Sequence, residues 1–196
     1  LGVQPVMINA SLVSAQNRKR LFWVGKLVGD KYEQVEISQP EDRGIMLKDI
    51  LEENVDEKYQ TGMNFTKRFD YTIHETPHNR KAQALRATDY KGTHNMVKVG
   101  QFNSGGQGDR VYSPEGKSAT LSALGGGRGA KTGLYEVEKQ VRKLTPIECL
   151  RLQSMPDNYF DKAIYKGKPI SNTQRYKMCG NAFNKEVIKH IIKNLI

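Results

Sequence analysis

Three long polar side chains stand at alternate positions in a short basic run, Gln16, Arg18 and Arg20. A guanidinium offers a planar fork of donors that suits phosphate oxygens and base edges. A solvated basic turn is the commoner meaning of so short a pattern. A second candidate lies between residues 100 and 133, where ten of the 18 glycines fall. Gln101, Asn103, Ser104, Gln107, Arg110, Ser122, Arg128 and Lys131 are interleaved with them. Glycine lets a backbone approach a ligand closely, and Gln, Ser and Arg can bond base edges. The segment therefore suits two loops presented by short strands, although a hairpin-rich β-domain with glycine in its turns explains the same composition. The only two cysteines, Cys149 and Cys179, are too few for a disulfide framework or a four-ligand zinc site, and no metal is expected.

Several elements must position these residues. Pro5 to Ala10 predicts a buried strand and Leu21 to Leu27 a second, aromatic and β-branched one, with the basic turn between them. Leu47 to Leu51 predicts a short amphipathic helix. Strand-like stretches at Arg110 to Tyr112, Ala119 to Ala123 and Leu134 to Val137 make residues 61–137 a β-rich module. A weak internal echo supports it: KAQALRA at 81–87 and KSATLSA at 117–123 are each followed by a polar stretch and a strand-like run. Thr145-Pro146-Ile147-Glu148 spells a helix start, with Thr as the cap, Pro at the first helical position and Glu three residues after the cap. That helix is expected to reach about Gln153. Apolar residues from Val187 to Ile196 at helical spacing predict a terminal amphipathic helix over residues 184–196.

At 196 residues the chain is long enough to bury a real core as one domain or two small ones. Its formal charge is +10, with 37% hydrophobic and 27% charged residues, which excludes a mainly disordered tail. No apolar run approaches the roughly 20 residues of a membrane span, and no signal pattern opens the chain. The expectation is a reduced, cytoplasmic protein with a polyanionic partner. The charge is uneven: residues 30–60 hold 10 acidic and 4 basic groups, while the segments on either side are basic. The acidic stretch is expected to turn away from the polyanion while the rest faces it.

Taken in order, the segments resemble the C-terminal part of the DNA (cytosine-5)-methyltransferases. AQNRKRLFWVG at 15–25 resembles the family's Gln-x-Arg-x-Arg element. RKLTPIECLRLQSMP at 142–156 resembles the element that leads from the target-recognition domain back to the catalytic domain, and GNAF at 180–183 resembles the closing Gly-Asn-(Ala/Ser)-Val element. The stretch 105–135 is very similar, without a gap, to recognition loops of a family member. The family's Phe-x-Gly-x-Gly cofactor loop, Pro-Cys nucleophile and Glu-Asn-Val acid precede the Gln-x-Arg-x-Arg element and do not occur here. Glu53-Asn54-Val55 spells the third in the wrong order, after Arg20, and reads as a coincidence. Cys149 and Cys179 read as structural thiols.

The resemblance implies an α/β fold: the C-terminal remainder of a Rossmann-like methyltransferase domain, two strands and the last helix, with an inserted small β-rich target-recognition domain. Residues 1–60 would be the catalytic remainder with the acidic insert, 61–175 the recognition domain and connecting helix, and 176–196 the closing element and last helix. It also implies methyl transfer from S-adenosylmethionine to C5 of a cytosine flipped out of duplex DNA. Arg20, supported by Arg18 and Gln16, would hold that base. Gln107, Gly108, Arg110, Ser122, Leu124, Gly127, Arg128, Lys131 and Arg142 would contact DNA, with Gln107 filling the vacated space and Arg110 reading a guanine. Asn181 and Ala182 would approach the methionine end of the cofactor, and Phe183 replaces the family's usual Val. The missing N-terminal catalytic half, in the same or a separate chain, is the expected partner of this bacterial or phage-type protein. A freestanding DNA-binding specificity module and an RNA cytosine-5 methylase fragment are the competing expectations.

Overall fold

The computed structural model describes residues 3–60, 96, 98–102, 107–123, 129–138 and 140–195. The 81–87 half of the internal echo lies outside them. Strands β1 (Pro5–Asn9) and β2 (Lys19–Trp23) pair antiparallel, with Val6 opposite Phe22 and Ile8 opposite Arg20. Side chains alternate across such a pair, so Val6, Ile8 and Phe22 share one face. That face packs on Val187 and Ile191. The opposite face carries Met7, Leu21 and Trp23, all exposed.

The expected strand over 21–27 is two strands. The chain turns inward at Val24, which joins the core, and β3 (Gly25–Val28) leaves to pair with β4 (Lys31–Gln34) across a tight turn. Gly29 holds that turn at φ +60°, a conformation that suits a residue without Cβ.

A four-stranded sheet is built in the order β5 (Lys98–Gln101), β6 (Arg110–Tyr112), β7 (Leu134–Val137), β8 (Gln140–Arg142). The β6–β7 pair is parallel and its neighbours are antiparallel. Phe102, Val111 and Leu134 close one small core. Tyr112 and Tyr135 belong to a larger one, with Leu144, Cys149, Leu150 and Leu152. Two β stretches appear as expected, at 110–112 and 134–137. The third does not: residues 117–123 form no strand and touch the ladder pattern only through a single bridge from Ser118 to Gln16. The buried Tyr135 hydroxyl holds this segment instead, accepting from the Ala119 N–H (3.0 Å) and donating to the Thr132 carbonyl (2.8 Å).

Helix α1 (Pro146–Leu152) starts as its sequence requires, with Thr145 and Glu148 in a reciprocal capping box. Helix α2 (Asn172–Asn181), absent from the sequence expectation, is capped the same way by Ser171 and Gln174. Helix α3 (Lys185–Lys193) begins on Asn184, whose side chain accepts from the Glu186 and Val187 N–H groups, and is shorter than the expected 184–196. The helix expected at 47–51 is a 3-10 turn over Leu47–Ile50.

The acidic stretch is woven in rather than set apart. Leu47 is fully buried, and the Leu47 and Lys48 N–H groups donate to the carbonyls of Gly116 and Pro114. Arg151 donates to the Ile50 carbonyl (2.9 Å), and Arg43 pairs with Glu186 at 3.0 Å. Beneath it lies a buried ion pair. Arg142 meets Glu148 through two parallel bonds of 2.8 Å, and Glu148 also accepts from the Thr145 and Glu52 N–H groups. Removing one partner of such a pair strands the other in a dry site. Arg142→Met is therefore expected to lower stability by about 3–5 kcal/mol. Urea unfolding followed by circular dichroism measures this, and a loss below about 1 kcal/mol would show that water reaches Glu148.

Candidate nucleic-acid interface

The basic turn is shaped by Asn9. Its side-chain amide donates to Asn17 Oδ1 (2.9 Å), while its oxygen accepts from the N–H groups of Ser11 (3.2 Å) and Arg18 (2.9 Å). The Ala10 N–H closes the loop on the Arg18 carbonyl at 3.0 Å. This geometry separates the three polar residues. Gln16 points inward, fully buried, and neither polar atom of its amide has a partner among the described residues. Arg18 is buried too, at 6% exposure. Arg20, on β2, is exposed and donates to the Lys19 carbonyl at 2.7 Å. It borders a small hollow that the buried Arg18, Ile8, Ala10, Phe22, Phe183, Asn184 and Val187 also line.

Arg18 donates only to backbone carbonyls among its identified bonds: Leu121 (3.2 Å), Gly180 (3.0 Å) and Ala182 (3.1 Å). Burial lowers its pKa to about 10, and the neighbouring Arg20 charge pushes the same way. Lys117, beside the same turn, is likewise buried and donates to the carbonyls of Ser14 (3.3 Å) and Ile45 (2.5 Å). Burial lowers its pKa as well.

The two glycine-rich loops meet through their backbones. Gly129 donates to the Gly108 carbonyl at 3.1 Å, and a Cβ on Gly129 would lie 2.8 Å from that oxygen. The Ser122 N–H donates to the Lys131 carbonyl at 2.9 Å, which brings Gly108, Ser122 and Lys131 into one loop cluster. Gln107 lies in the 3-10 turn Gln107–Asp109, and Arg110 follows it, exposed at the start of β6. Leu124, Gly127 and Arg128 lie outside the described residues. Arg142 is not presented with this cluster: both of its terminal nitrogens are spent on Glu148 in the core.

The closing element sits against the same loop. A Cβ on Gly180 would lie 2.4 Å from the Ala123 nitrogen and 2.5 Å from the Ser122 carbonyl carbon, so only glycine admits this approach. Asn181 is exposed and Ala182 half-buried, while Phe183 is exposed with its ring 6.3 Å from that of Phe22. Gln153 and Asn184, unremarked in the sequence, tie α1 to this end: Gln153 Nε2 donates to the Cys179 carbonyl (2.8 Å) and Asn184 Nδ2 to the Leu152 carbonyl (2.9 Å). Asn184 is a short polar side chain just before a helix, a cue for capping that the sequence does carry, whereas the long-range bond of Gln153 leaves no such cue.

Two strands backed by a terminal helix, beside a sheet with paired glycine-rich loops, define a methyltransferase-type α/β fold. A methyltransferase of Entamoeba histolytica, EhMeth, superposes with TM-score 0.60 at 13% identity, covering 98% of this chain and 52% of that one. The Dnmt2 methyltransferase of S. pombe gives 0.52 at 14%, covering 97% and 55%. Both likenesses concern the fold. The chain belongs to the C-5 cytosine-specific DNA methylase family, whose model matches residues 2–196. It is 44% identical over 103 residues to the type II methyltransferase M.HhaI of Haemophilus parahaemolyticus, covering 53% of this chain and 29% of the relative. It is 30% identical over 200 residues to the orphan methyltransferase M.SPBetaI of Bacillus phage SPbeta, covering 76% and 42%. The chain thus spans less than half the length of these relatives.

Neither cysteine is set up as a nucleophile. Both are buried; burial raises the Cys149 thiol well above its ordinary range and pushes Cys179 up to about 12. In the folded protein at pH 8, the two thiols are expected to react with a disulfide reagent at least 100-fold more slowly than in urea. A thiol titrated at the same rate in both conditions would contradict this burial.

Proposed function

We propose that this chain is the DNA-reading, base-holding part of a DNA (cytosine-5)-methyltransferase. The full enzyme would transfer a methyl group from S-adenosylmethionine to C5 of a cytosine flipped from a short specific duplex sequence. One observation carries the assignment: of the Gln16, Arg18 and Arg20 set, only Arg20 reaches the surface, and it does so beside Phe183 and Asn184 of the closing element. A base-holding guanidinium must be free to meet a ligand, and it must stand near the cofactor side.

On this reading the Arg20 guanidinium donates to O2 of the flipped cytosine and stabilises the negative charge that develops on the ring when a thiolate adds to C6. That thiolate and the glycine-rich cofactor loop come from the length of the relatives that this chain does not span. The exposed Asn181 amide, which can donate and accept, and the Phe183 ring beside it have the chemistry to meet the methionine end and an apolar edge of the cofactor. S-adenosylmethionine, when bound, supplies an electrophilic methyl group. The exposed apolar face of Met7, Leu21 and Trp23 supports a further layer, because a cluster of large apolar side chains left in water marks a surface that another element covers. In the loop cluster, Gln107 enters the space left by the base, Arg110 reads a guanine, and Ser122, Lys131 and the stretch holding Leu124, Gly127 and Arg128 complete the contacts.

Three measurements test this. The chain alone is expected to bind duplex DNA at low salt and to transfer no radiolabelled methyl group, whereas a partner segment carrying nucleophile and cofactor loop restores transfer. In that assembly Arg20→Ala should lower the rate by about 100- to 1,000-fold, the scale of losing one preorganised donor. Methyl transfer by the chain alone, or a fully active Arg20→Ala, would overturn the assignment. Arg110→Ala should cost about 1–3 kcal/mol of discrimination at one guanine; an equal loss on every sequence would make it a phosphate contact instead.

A further inference from the structure

We infer that Arg18 is a positioning residue: its buried guanidinium holds the recognition segment at Leu121 and the closing element at Gly180 and Ala182 in one fixed relation. The inference rests on the DNA-reading function proposed above. Its bonds reach across 103 and 164 residues of sequence and end on carbonyl oxygens of two separate segments. A guanidinium has five donors in a rigid fork and can serve three such acceptors at once, whereas an ammonium is a point donor. The acceptors belong to the backbone, so Arg18 fixes where the chain runs and not which side chains it carries.

The junction has no slack on its other side. The Gly180 backbone lies directly against Ser122 and Ala123, and the absence of a Cβ is what permits the contact. From there the connection continues by main-chain bonds alone: Ser122 to Lys131 at 2.9 Å, Gly133 to Gly129 at 2.7 Å, and Gly129 to Gly108 at 3.1 Å. Both glycine-rich loops are therefore referenced, through backbone, to the element that flanks Arg20. A side chain buried at 6% exposure, with both terminal nitrogens bonded to main-chain carbonyls, is not placed to bind a base itself. Its neighbour two residues on, at the surface, is.

The test uses the 196-residue chain and a duplex selected by it from a randomised pool, with a scrambled duplex of the same composition. Arg18→Lys keeps the charge and breaks the fork. It is expected to reduce the affinity ratio of selected to scrambled duplex by about tenfold while affinity for the scrambled duplex stays within about twofold. Amide exchange should quicken at least about tenfold at Ser122 and Ala182 and stay unchanged in the sheet at Val111, Leu134 and Tyr135. Gly180→Ala, which presses on the same junction and leaves Arg18 in place, should lower the ratio in the same way. An unchanged ratio in both variants, or exchange that quickens equally throughout, would overturn the inference. If the wild-type chain itself selects no duplex, the DNA-reading function fails, and the exchange pattern alone decides the positioning role.

Discussion

The Glu148 carboxylate is sealed from water and surrounded by four N–H donors, two from Arg142 and one each from the backbone of Thr145 and Glu52. Those donors come from the last strand of the sheet, the start of α1 and the acidic stretch. One buried charge thus requires three separate parts of the chain to arrive together. Such a network contributes little net stability, because desolvation consumes most of the Coulombic gain. What it does is penalise any arrangement in which one donor is absent, and so it selects one packing of sheet, helix and strap.

Around that centre the apolar residues divide into two main clusters with different partners. One gathers Tyr112, Tyr135, Leu144, Leu150 and Leu152 between the sheet and α1. The other joins Ile8, Val13 and Val24 to Val187 and Ile191 of α3. The main chain of the polar turn at 14–18 engages residues 117–120 through Ser14, Ala15 and Asn17, and residues 9–10 through Arg18. Loops can carry recognition chemistry only when a rigid frame sets their position, and here the frame is main chain pressed on main chain.

Much of the fold was legible. Helix α1 was written in its capping box and first-turn proline, and β1, β6 and β7 in their strand-like runs, although β1, expected to be buried, buries only Ile8. Helix α2 escaped because only Cys179 and Gly180 are buried along it, too few for a helical stripe, although the Ser171 and Gln174 pair was there to read. The strand at 21–27 divides because Val24 is drawn inward, a tertiary choice that an unbroken apolar run conceals. The residues of the candidate site stood out by composition, and their exposure did not. Gln16, Arg18 and Arg20 are all long polar side chains, yet one is sealed, one bridges two segments and one faces outward. Arg142 has the residue type of a DNA contact, and only the placement of Glu148 decides otherwise.

The exposed side chains on the outer face of β1 and β2 have a thermodynamic consequence. Met7, Leu21 and Trp23 form an apolar patch on a sheet whose other side is already packed. Any layer laid over it removes hydrocarbon from water and so associates with a negative heat capacity change. The attraction would be mostly entropic near room temperature and would fade on cooling. Cold, rather than salt, would be the condition that loosens a layer laid there, because a charge-driven contact is screened by salt and an apolar one is not.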